Sequence, residues 1–184
     1  MIGTDPAYET LIAPIAHAVR GDRVTGLAAT LAELSVAGAI GPECFLPPTG
    51  GHYARKLVWR DPDGRFVVVG MTWGPGQGSP LHDHAGLWGA EVVVSGLMSE
   101  TVFELRERGA DGRFRFERSM HRMNAPGAVG VLIPPHEYHD YRNGGSTVAH
   151  TLHVYGGDLT NSQAFADDGD GWFTPHRVEL RYDG

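Results

Sequence analysis

Two histidines stand one residue apart at the entrance to an apolar run, within SPLHDHAGLWGAEVVVSG at positions 79–96. Alternate side chains of an extended strand point to the same face, so His82 and His84 should point the same way, with Asp83 opposite. Two imidazoles aimed at one point can ligate a metal ion, because neutral imidazole binds iron, zinc, copper and nickel alike. The pair therefore predicts a metal site, provided that the fold brings further ligands to the same place.

The chain around this pair predicts a small helical segment followed by a β-rich body. Apolar residues recur at helical spacing in YETLIAPIAHAVR and VTGLAATLAELSVAG, which indicate two short helices, the second ended by Gly38 or Gly41. Nine short β-rich runs follow, from YARKLVW to RVELRY, separated by turn signals. We expect one mostly β domain, with helices and linker in residues 1–47 and a closed antiparallel barrel or jelly roll in residues 48–184.

Three glycine- and aspartate-rich stretches predict turns between these runs. DPDG at 61–64 and GADG at 109–112 are strong hairpin signals, because both residue types tolerate the backbone angles of tight turns. DDGDG at 167–171 lacks the carboxylate spacing of a calcium loop, so we expect a solvated turn there as well.

Composition and charge argue against several classes of function. A chain of 184 residues that is 41% hydrophobic and 20% charged is typical of one globular domain. Its formal charge of −7, without a polybasic cluster, gives no support for a nucleic-acid or membrane-surface role. No apolar run approaches the ~20 residues of a membrane span, and the acidic start does not suit a secretion signal. Cys44 is the only cysteine, so no intramolecular disulfide can form and a cytoplasmic location is expected.

The spacing around the histidines resembles the two sequence motifs of the cupin superfamily. The first motif matches at Gly76, His82, His84, Gly89 and Gly96, and the second at Pro134, His136, His139 and Asn143. The resemblance implies a double-stranded β-helix in which two strands bring His82, His84 and His139 to one interior metal site. His136 occupies the second motif's glycine position, which favours a turn role over ligation because histidine tolerates positive φ better than most residues.

The usual fourth cupin ligand, a carboxylate, is missing because Gly89 stands at its position. Glu91 has the same strand parity as Gly89 and the opposite parity to the histidines, so we expect it to face away from the metal unless a bulge intervenes. Three neutral ligands would leave an open side on the metal. Charge balance then favours an anionic substrate that binds the metal itself.

From Tyr53 to the C-terminus, the chain resembles the cysteine dioxygenase family of thiol dioxygenases, in particular its bacterial members. The matching segments are YARKLV, WGPGQGSPLHDH, the third histidine with DYRN, and HTLHVYGGDL. The resemblance implies an Fe(II) site that binds a thiolate and O2 and oxidises the sulfur to a sulfinic acid, in a monomer or small homo-oligomer. Thiolate is a good ligand for iron, and holding both reactants on one metal removes most of their encounter entropy.

The resemblance also implies a relay of catalytic side chains. Thr151, His153 and Tyr155 match the family's Ser-His-Tyr motif and share one face of a strand. The change from serine to threonine keeps the hydroxyl, so the relay can survive. The alternative is structural: Tyr155 would fill core volume and His153 would satisfy its hydroxyl.

Arg55 stands at the family's position for an arginine that binds the substrate carboxylate. It shares its predicted strand face with Tyr53, Leu57 and Trp59, so we expect Arg55, Tyr53 and Tyr155 to line the substrate pocket. An inward arginine is costly unless it meets an anion, and its planar fork pairs bidentately with carboxylates. The alternative is a structural salt bridge. Relatives that prefer 3-mercaptopropionate commonly have glutamine here, so the arginine favours an amino-acid-like thiol.

Gly89 marks a departure from the animal members of that family. Those proteins carry a cysteine at this position, cross-linked to the tyrosine that corresponds to Tyr155. Glycine cannot form that bond, and Cys44 lies in the linker, so we expect an unmodified Tyr155.

The prediction from sequence is therefore an Fe(II)-dependent oxidation of L-cysteine, or of a closely related small thiol carboxylate, to its sulfinate. One alternative keeps the chemistry and changes the substrate to 3-mercaptopropionate or mercaptosuccinate. Another is a cupin metalloenzyme of a different class, such as a zinc, nickel or manganese isomerase or a ring-cleaving dioxygenase. A third is a non-catalytic cupin that binds a small ligand.

Overall fold

The computed structural model describes residues 8–21 and 24–184. The start of the chain, where no secretion signal is expected, lies largely outside these residues. The elements are α1 (Glu9–Arg20), α2 (Val24–Val36), a 3-10 turn (Pro42–Cys44), β1 (Ala54–Arg60), β2 (Val67–Trp73), β3 (Gly78–His82), β4 (Gly89–Ser95), β5 (Met98–Arg108), β6 (Phe114–Asn124), β7 (Val129–Leu132), β8 (His139–Asn143), β9 (Ala149–Tyr155), β10 (Asn161–Gly169) and β11 (Trp172–Glu179). No helix within the described residues is long and apolar enough to cross a membrane.

The strands form two antiparallel sets that enclose a common interior. One is a five-stranded sheet in the order β1-β2-β9-β4-β7, and the other closes in the order β10-β11-β6-β5-β8-β3. This is the mostly β cupin double-stranded β-helix, with two N-terminal helices, that the sequence predicted. The turns predicted at 61–64 and 109–112 are confirmed, since they connect β1 to β2 and β5 to β6. The turn predicted at 167–171 is confirmed only at 170–171, because β10 continues to Gly169 and β11 begins at Trp172.

The two helices cover the outer face of the five-stranded sheet. Leu31 of α2 is fully buried in a cluster that includes Val92 of β4, together with Leu152 and Val154 of β9. Because side chains alternate along a strand, β9 sends these two residues toward the helices and their immediate sequence neighbours to the interior. One face of the central strands therefore builds the core, and the opposite face is available for a site.

The linker crosses the same sheet at a position that only glycine allows. A Cβ on Gly70, in the middle of β2, would lie 1.9 Å from the carbonyl oxygen of Cys44. Cys44 itself is fully buried, and burial is the main reason that the pKa of its thiol rises to about 11. The only cysteine is therefore a protonated core residue.

Two strands were not predicted, and one begins earlier than expected. β3 contains glycine and proline, and β10 opens with the polar segment NSQ, so neither carries a strong β pattern. Both are held by their neighbours: β3 pairs with β8, β10 pairs with β11, and Ala164 of β10 pairs with His82 of β3. Neighbouring strands thus override weak local propensity. β11 begins at Trp172, ahead of the run RVELRY that was predicted.

A register shift in β1 corrects one predicted face. Leu57 pairs with Val69 and packs inside, whereas Trp59 pairs with Val68 after a bulge and packs with the cluster under the helices. The prediction that Trp59 shares a face with Arg55 and Leu57 is therefore wrong. A bulge adds a residue to one strand, so parity cannot be counted across it.

Candidate active site

Three histidine rings meet in the interior between the two strand sets. His82 ends β3 and pairs directly with His139, which begins β8, while His84 lies in the loop after β3 rather than on the strand. The ring centroids are 4.8 Å apart for the two pairs that include His82 and 5.1 Å apart for His84 and His139. One ligand atom from each residue lies within 4.8 Å of the others. The structure thus brings together the three residues expected to hold a metal.

The outer nitrogens of these rings show which atoms are free to bind an ion. Nδ1 of His82 lies 2.9 Å from the carbonyl oxygen of Pro80, and Nδ1 of His139 lies 3.1 Å from Oε1 of Glu100. Hydrogen bonds at Nδ1 fix the tautomer of a metal-binding histidine and leave Nε2 for the metal. The residues therefore fit a metal ion, and Glu100 is a partner that sequence reasoning missed.

Burial keeps two of the three rings neutral. It lowers the pKa of His82 to about 3 and the pKa of His84 well below its usual value, and neighbouring histidines add to both effects. Burial alone would also lower the pKa of His139, but its hydrogen bond to Glu100 and the charges of Glu91 and Glu100 raise it overall. A metal competes with protons for these nitrogens, so rings that are already neutral bind it more readily.

Glu100 is an ionised carboxylate beside the metal site. Burial would raise its pKa, but hydrogen bonds with His139 and Arg122 lower the pKa to about 2. Nε of Arg122 donates to Oε2 over 2.7 Å, and Nδ2 of Asn124 donates to the same oxygen over 2.8 Å. Cupin metal sites often include a carboxylate among the metal ligands. Here the carboxylate of Glu100 instead contacts Nδ1 of the ligand His139.

Glu91 faces the interior, which corrects the prediction that it points away. It pairs with His153 across β4 and β9, is only 2% exposed, and lies with Oε2 3.1 Å from Nδ1 of that histidine. The parity argument failed because the loop between β3 and β4 interrupts the alternation of side chains. A glycine on β7 makes the space: a Cβ on Gly130 would lie 2.9 Å from Cγ of Glu91.

The predicted relay forms a continuous row on β9. Oγ1 of Thr151 lies 2.7 Å from Nε2 of His153, whose Nδ1 lies 3.1 Å from the hydroxyl oxygen of Tyr155. The indole of Trp73 donates to Oγ1 of Thr151 over 2.8 Å. Burial raises the pKa of Tyr155, although the charge of Arg55 opposes this, so the phenol keeps its proton. Trp73 joins the row from a different strand, and no sequence signal indicated its role.

Arg55 is buried at the side of the same interior without an ion-pair partner among the described residues. Its guanidinium donates to the carbonyl oxygens of Leu159 over 3.2 Å and Arg181 over 3.3 Å, and it faces the ring of Tyr182 at 5.1 Å. Five N–H groups are available on a guanidinium, so these bonds leave donors for a ligand. The alternative of a structural salt bridge therefore has no support from the geometry.

One pocket connects these groups. Residues of both strand sets line it, among them Tyr53, Arg55, His82, His84, His139 and Tyr155. Tyr53 stacks on Trp73 with ring centroids 4.1 Å apart, which fixes one wall. The arrangement offers a metal position, a cation for an anionic group and a protonated phenol within one pocket.

His136 lies away from this pocket. It is exposed, and its backbone N–H bonds the carbonyl of Ile133 over 2.8 Å in a turn. The predicted turn role is therefore confirmed, but the predicted reason is wrong. Among the described residues other than glycine, positive φ occurs at Ala85 and Asp170, not at His136.

Comparison with known proteins gives matches of two kinds. The family model "Cysteine dioxygenase type I" matches residues 50–168. Cysteine dioxygenase type 1 proteins of Rattus norvegicus and Homo sapiens are each 25% identical over 114 residues, which is 62% of this chain and 56% of each relative. The match thus spans about half the length of these curated relatives.

Solved structures are similar at lower sequence identity. A protein of Thermus thermophilus has a TM-score of 0.46 and 20% identity, over 64% of this chain and 95% of its own. A double-stranded β-helix protein of Klebsiella pneumoniae has a TM-score of 0.48 and 19% identity, over 65% of this chain and 90% of its own.

Proposed function

Because the chain belongs to the cysteine dioxygenase type I family, we propose that it is an Fe(II)-dependent thiol dioxygenase acting on a small thiol carboxylate, L-cysteine or a close relative. The overall reaction joins both atoms of O2 to the sulfur and converts the thiol to a sulfinic acid, so no external reductant is needed. The observation that carries the proposal is the three-histidine cluster facing the same pocket as an arginine that has no ion-pair partner among the described residues.

His82, His84 and His139 would hold the iron, which supplies a binding position for the thiolate and for O2 when it is present. All three ligands are neutral in this role, so the nearest negative charges come from Glu100 and Glu91. A cation with few anionic ligands attracts an anionic substrate. This favours a thiol that carries a carboxylate over one that carries none.

Arg55 would bind the substrate carboxylate through the N–H groups not used by Leu159 and Arg181. Its two backbone bonds hold the guanidinium plane in one orientation, which reduces the entropy lost when a carboxylate binds. Fixing the carboxylate at one end and the sulfur at the other orients a three-carbon molecule. Tyr155 lines the same pocket, with its ring centroid 6.0 Å from that of His84, and would contact the bound substrate with its hydroxyl.

The deciding experiment measures O2 uptake by the iron-loaded protein with four thiols: L-cysteine, 3-mercaptopropionate, mercaptosuccinate and cysteamine. We expect at least one acid to consume O2 and to yield a sulfinate by mass spectrometry, with cysteamine a poor substrate. Equal turnover of cysteamine would refute the role of Arg55. If no thiol consumed O2 with iron bound, the proposed reaction would be wrong.

A further inference from the structure

The hydroxyl of Thr151 determines which nitrogen of His153 can carry a proton. Thr151 is fully buried, and its Oγ1 has two partners among the described residues, the indole of Trp73 and Nε2 of His153. An indole N–H can only donate, so the hydroxyl accepts from it. A buried hydroxyl hydrogen needs an acceptor, and Nε2 of His153 is the one available. Nε2 must therefore be unprotonated, which places the ring proton on Nδ1.

Glu91 leads to the same result from the other side of the ring. Its Oε2 lies 3.1 Å from Nδ1 of His153, and neither carboxylate oxygen has a well-aligned hydrogen bond within the described part of the chain. With a proton on Nδ1, the partial positive charge of this N–H lies close to the carboxylate. Without one, a nitrogen lone pair and a negative oxygen would lie 3.1 Å apart in a buried site, which is strongly unfavourable.

The tautomer in turn fixes the direction of the Tyr155 hydroxyl. Nδ1 of His153 is the one hydrogen-bond partner of this hydroxyl among the described residues, at 3.1 Å. If Nδ1 carries the proton, Tyr155 can accept from it but cannot donate to it. The phenolic hydrogen then has no acceptor in the described protein wall, and the side chain lines the pocket.

We propose that Glu91 is a positioning residue that holds His153 in its Nδ1–H form and thereby directs the hydroxyl hydrogen of Tyr155 into the pocket. Tyr155 is then a hydrogen-bond donor to whatever oxygen or sulfur lies beside it. The consequence for catalysis rests on the proposed function, whereas the tautomer itself does not. Gly130 is needed for this arrangement, because a Cβ there would displace the Glu91 side chain.

The first test reads the tautomer directly and needs no activity. Ring nitrogen-15 spectra of His153 in the metal-free protein, assigned by comparison with His153→Gln, should show Nδ1 protonated and Nε2 unprotonated. Glu91→Leu should raise the share of the Nε2–H form, and Glu91→Gln should stay near the native pattern because glutamine keeps an accepting oxygen. A native Nε2–H ring, or no change in Glu91→Leu, would overturn the proposal.

The second test asks whether Glu91 acts through Tyr155. In the iron-loaded protein, Glu91→Leu should lower kcat/KM for the best thiol acid by about tenfold, the usual worth of one directed hydrogen bond. In a Tyr155→Phe background the same change should have less than about a twofold effect, because the hydroxyl it directs is gone. The proposal would be contradicted if the losses in kcat/KM from Glu91→Leu and Tyr155→Phe were additive. It would also be contradicted if Glu91→Gln and Glu91→Leu lost kcat/KM equally.

Thermal unfolding separates positioning from a structural role. Glu91→Leu replaces a poorly partnered buried carboxylate by an apolar side chain of similar size, which is often neutral or stabilising. We therefore expect an unchanged or higher Tm together with lower activity. A lower Tm with activity lost in proportion would show that Glu91 serves the fold instead. If no thiol is oxidised at all, the nitrogen spectra still decide the tautomer.

Discussion

At the level of single residues, the three metal-site histidines differ in how they are held. His82 is fixed by a backbone carbonyl, His139 by the ionised Glu100, and Nδ1 of His84 lies 3.8 Å from Glu137, too far for a hydrogen bond. A carboxylate partner makes a histidine a stronger donor to a metal. We therefore expect His139 to contribute most to metal affinity.

Removal of any one of these ligands should strongly reduce iron binding. His82→Ala, His84→Ala and His139→Ala should each lose most bound iron and all activity, because two imidazoles rarely retain a catalytic metal. His136→Ala is the matched control, since that side chain is exposed on the turn beside β8, and it should keep stoichiometric iron. Metal analysis after purification checks this. Iron lost from the His136 variant but kept by the His139 variant would identify a different third ligand.

Arg55 should control the affinity for acids rather than the chemistry. Arg55→Ala should raise KM for carboxylate thiols by a factor on the order of ten to several hundred, which is the usual worth of a charge-assisted pair. It also leaves the carbonyls of Leu159 and Arg181 without their donor, so Tm should fall. Steady-state kinetics with cysteamine is the control. A similar rise in KM for that amine would point to general damage to the pocket.

At the level of the secondary-structure elements, the register of β9 places the site. Gly89, Glu91 and Val93 of β4 pair with Tyr155, His153 and Thr151, so inward residues of the two strands stand side by side. The period of two along β9 could be predicted from sequence, and with it the common face of the relay. The pairing partner could not, because contacts between distant strands leave no trace in the local pattern of one sequence.

The same limit explains which parts of the site were predicted. The histidine spacings are local, so the three metal ligands could be predicted from them. Trp73, Glu100 and Gly130 reach the site from strands that are distant in the chain, and no local pattern indicates them. Glu91 was assigned to the wrong face because side-chain parity was counted across a loop. Loops and bulges reset parity, so such counting holds only within one regular strand.

The pairing of Gly89 with Tyr155 leads to a prediction about a covalent cross-link. A Cβ on Gly89 would lie 3.1 Å from Cδ1 and 3.3 Å from Cε1 of the tyrosine ring. Gly89→Cys should therefore place a thiol against the ring and, with iron and O2 as oxidant, form a thioether with loss of two hydrogens. Peptide mapping should find it in the variant and not in the native protein.

Gly89→Ala controls for the steric cost of that change. A methyl group at this position must push the tyrosine ring by a few tenths of an ångström, so a modest loss of activity without any cross-link is expected. A native protein that already carries a modified Tyr155 would contradict the prediction. So would a cysteine variant that stays unmodified after repeated exposure to iron, O2 and substrate.

At the level of the whole molecule, the last residues tie the two strand sets together beside the pocket. The N–H of Asp183 bonds the carbonyl of Arg55 over 2.8 Å, and the N–H of Arg55 donates to the Asp183 carboxylate over 2.9 Å. The hydroxyl of Tyr182 donates to Asp158 over 2.6 Å. This segment follows β11 and ends against β1, so it holds the arginine between the two halves of the fold.

Tyr182 should therefore influence substrate affinity through Arg55. Tyr182→Ala removes the ring that faces the guanidinium and should raise KM for carboxylate thiols about two- to tenfold, the range of a cation–π contact. Tyr182→Phe keeps the ring and loses only the bond to Asp158, so its KM should stay near the native value. Kinetics of both variants check this, and equal effects would assign the role to the hydroxyl instead.

The buried position of Cys44 has a consequence for a protein that works on thiols. Its sulfur is enclosed beneath the helices, and a thiol with a pKa of about 11 is almost entirely protonated near neutral pH. Thiol–disulfide exchange needs an accessible thiolate, so the folded chain should neither form mixed disulfides with its substrate nor link to a second copy. Thiol-reactive dyes added to a reaction mixture should thus count substrate alone.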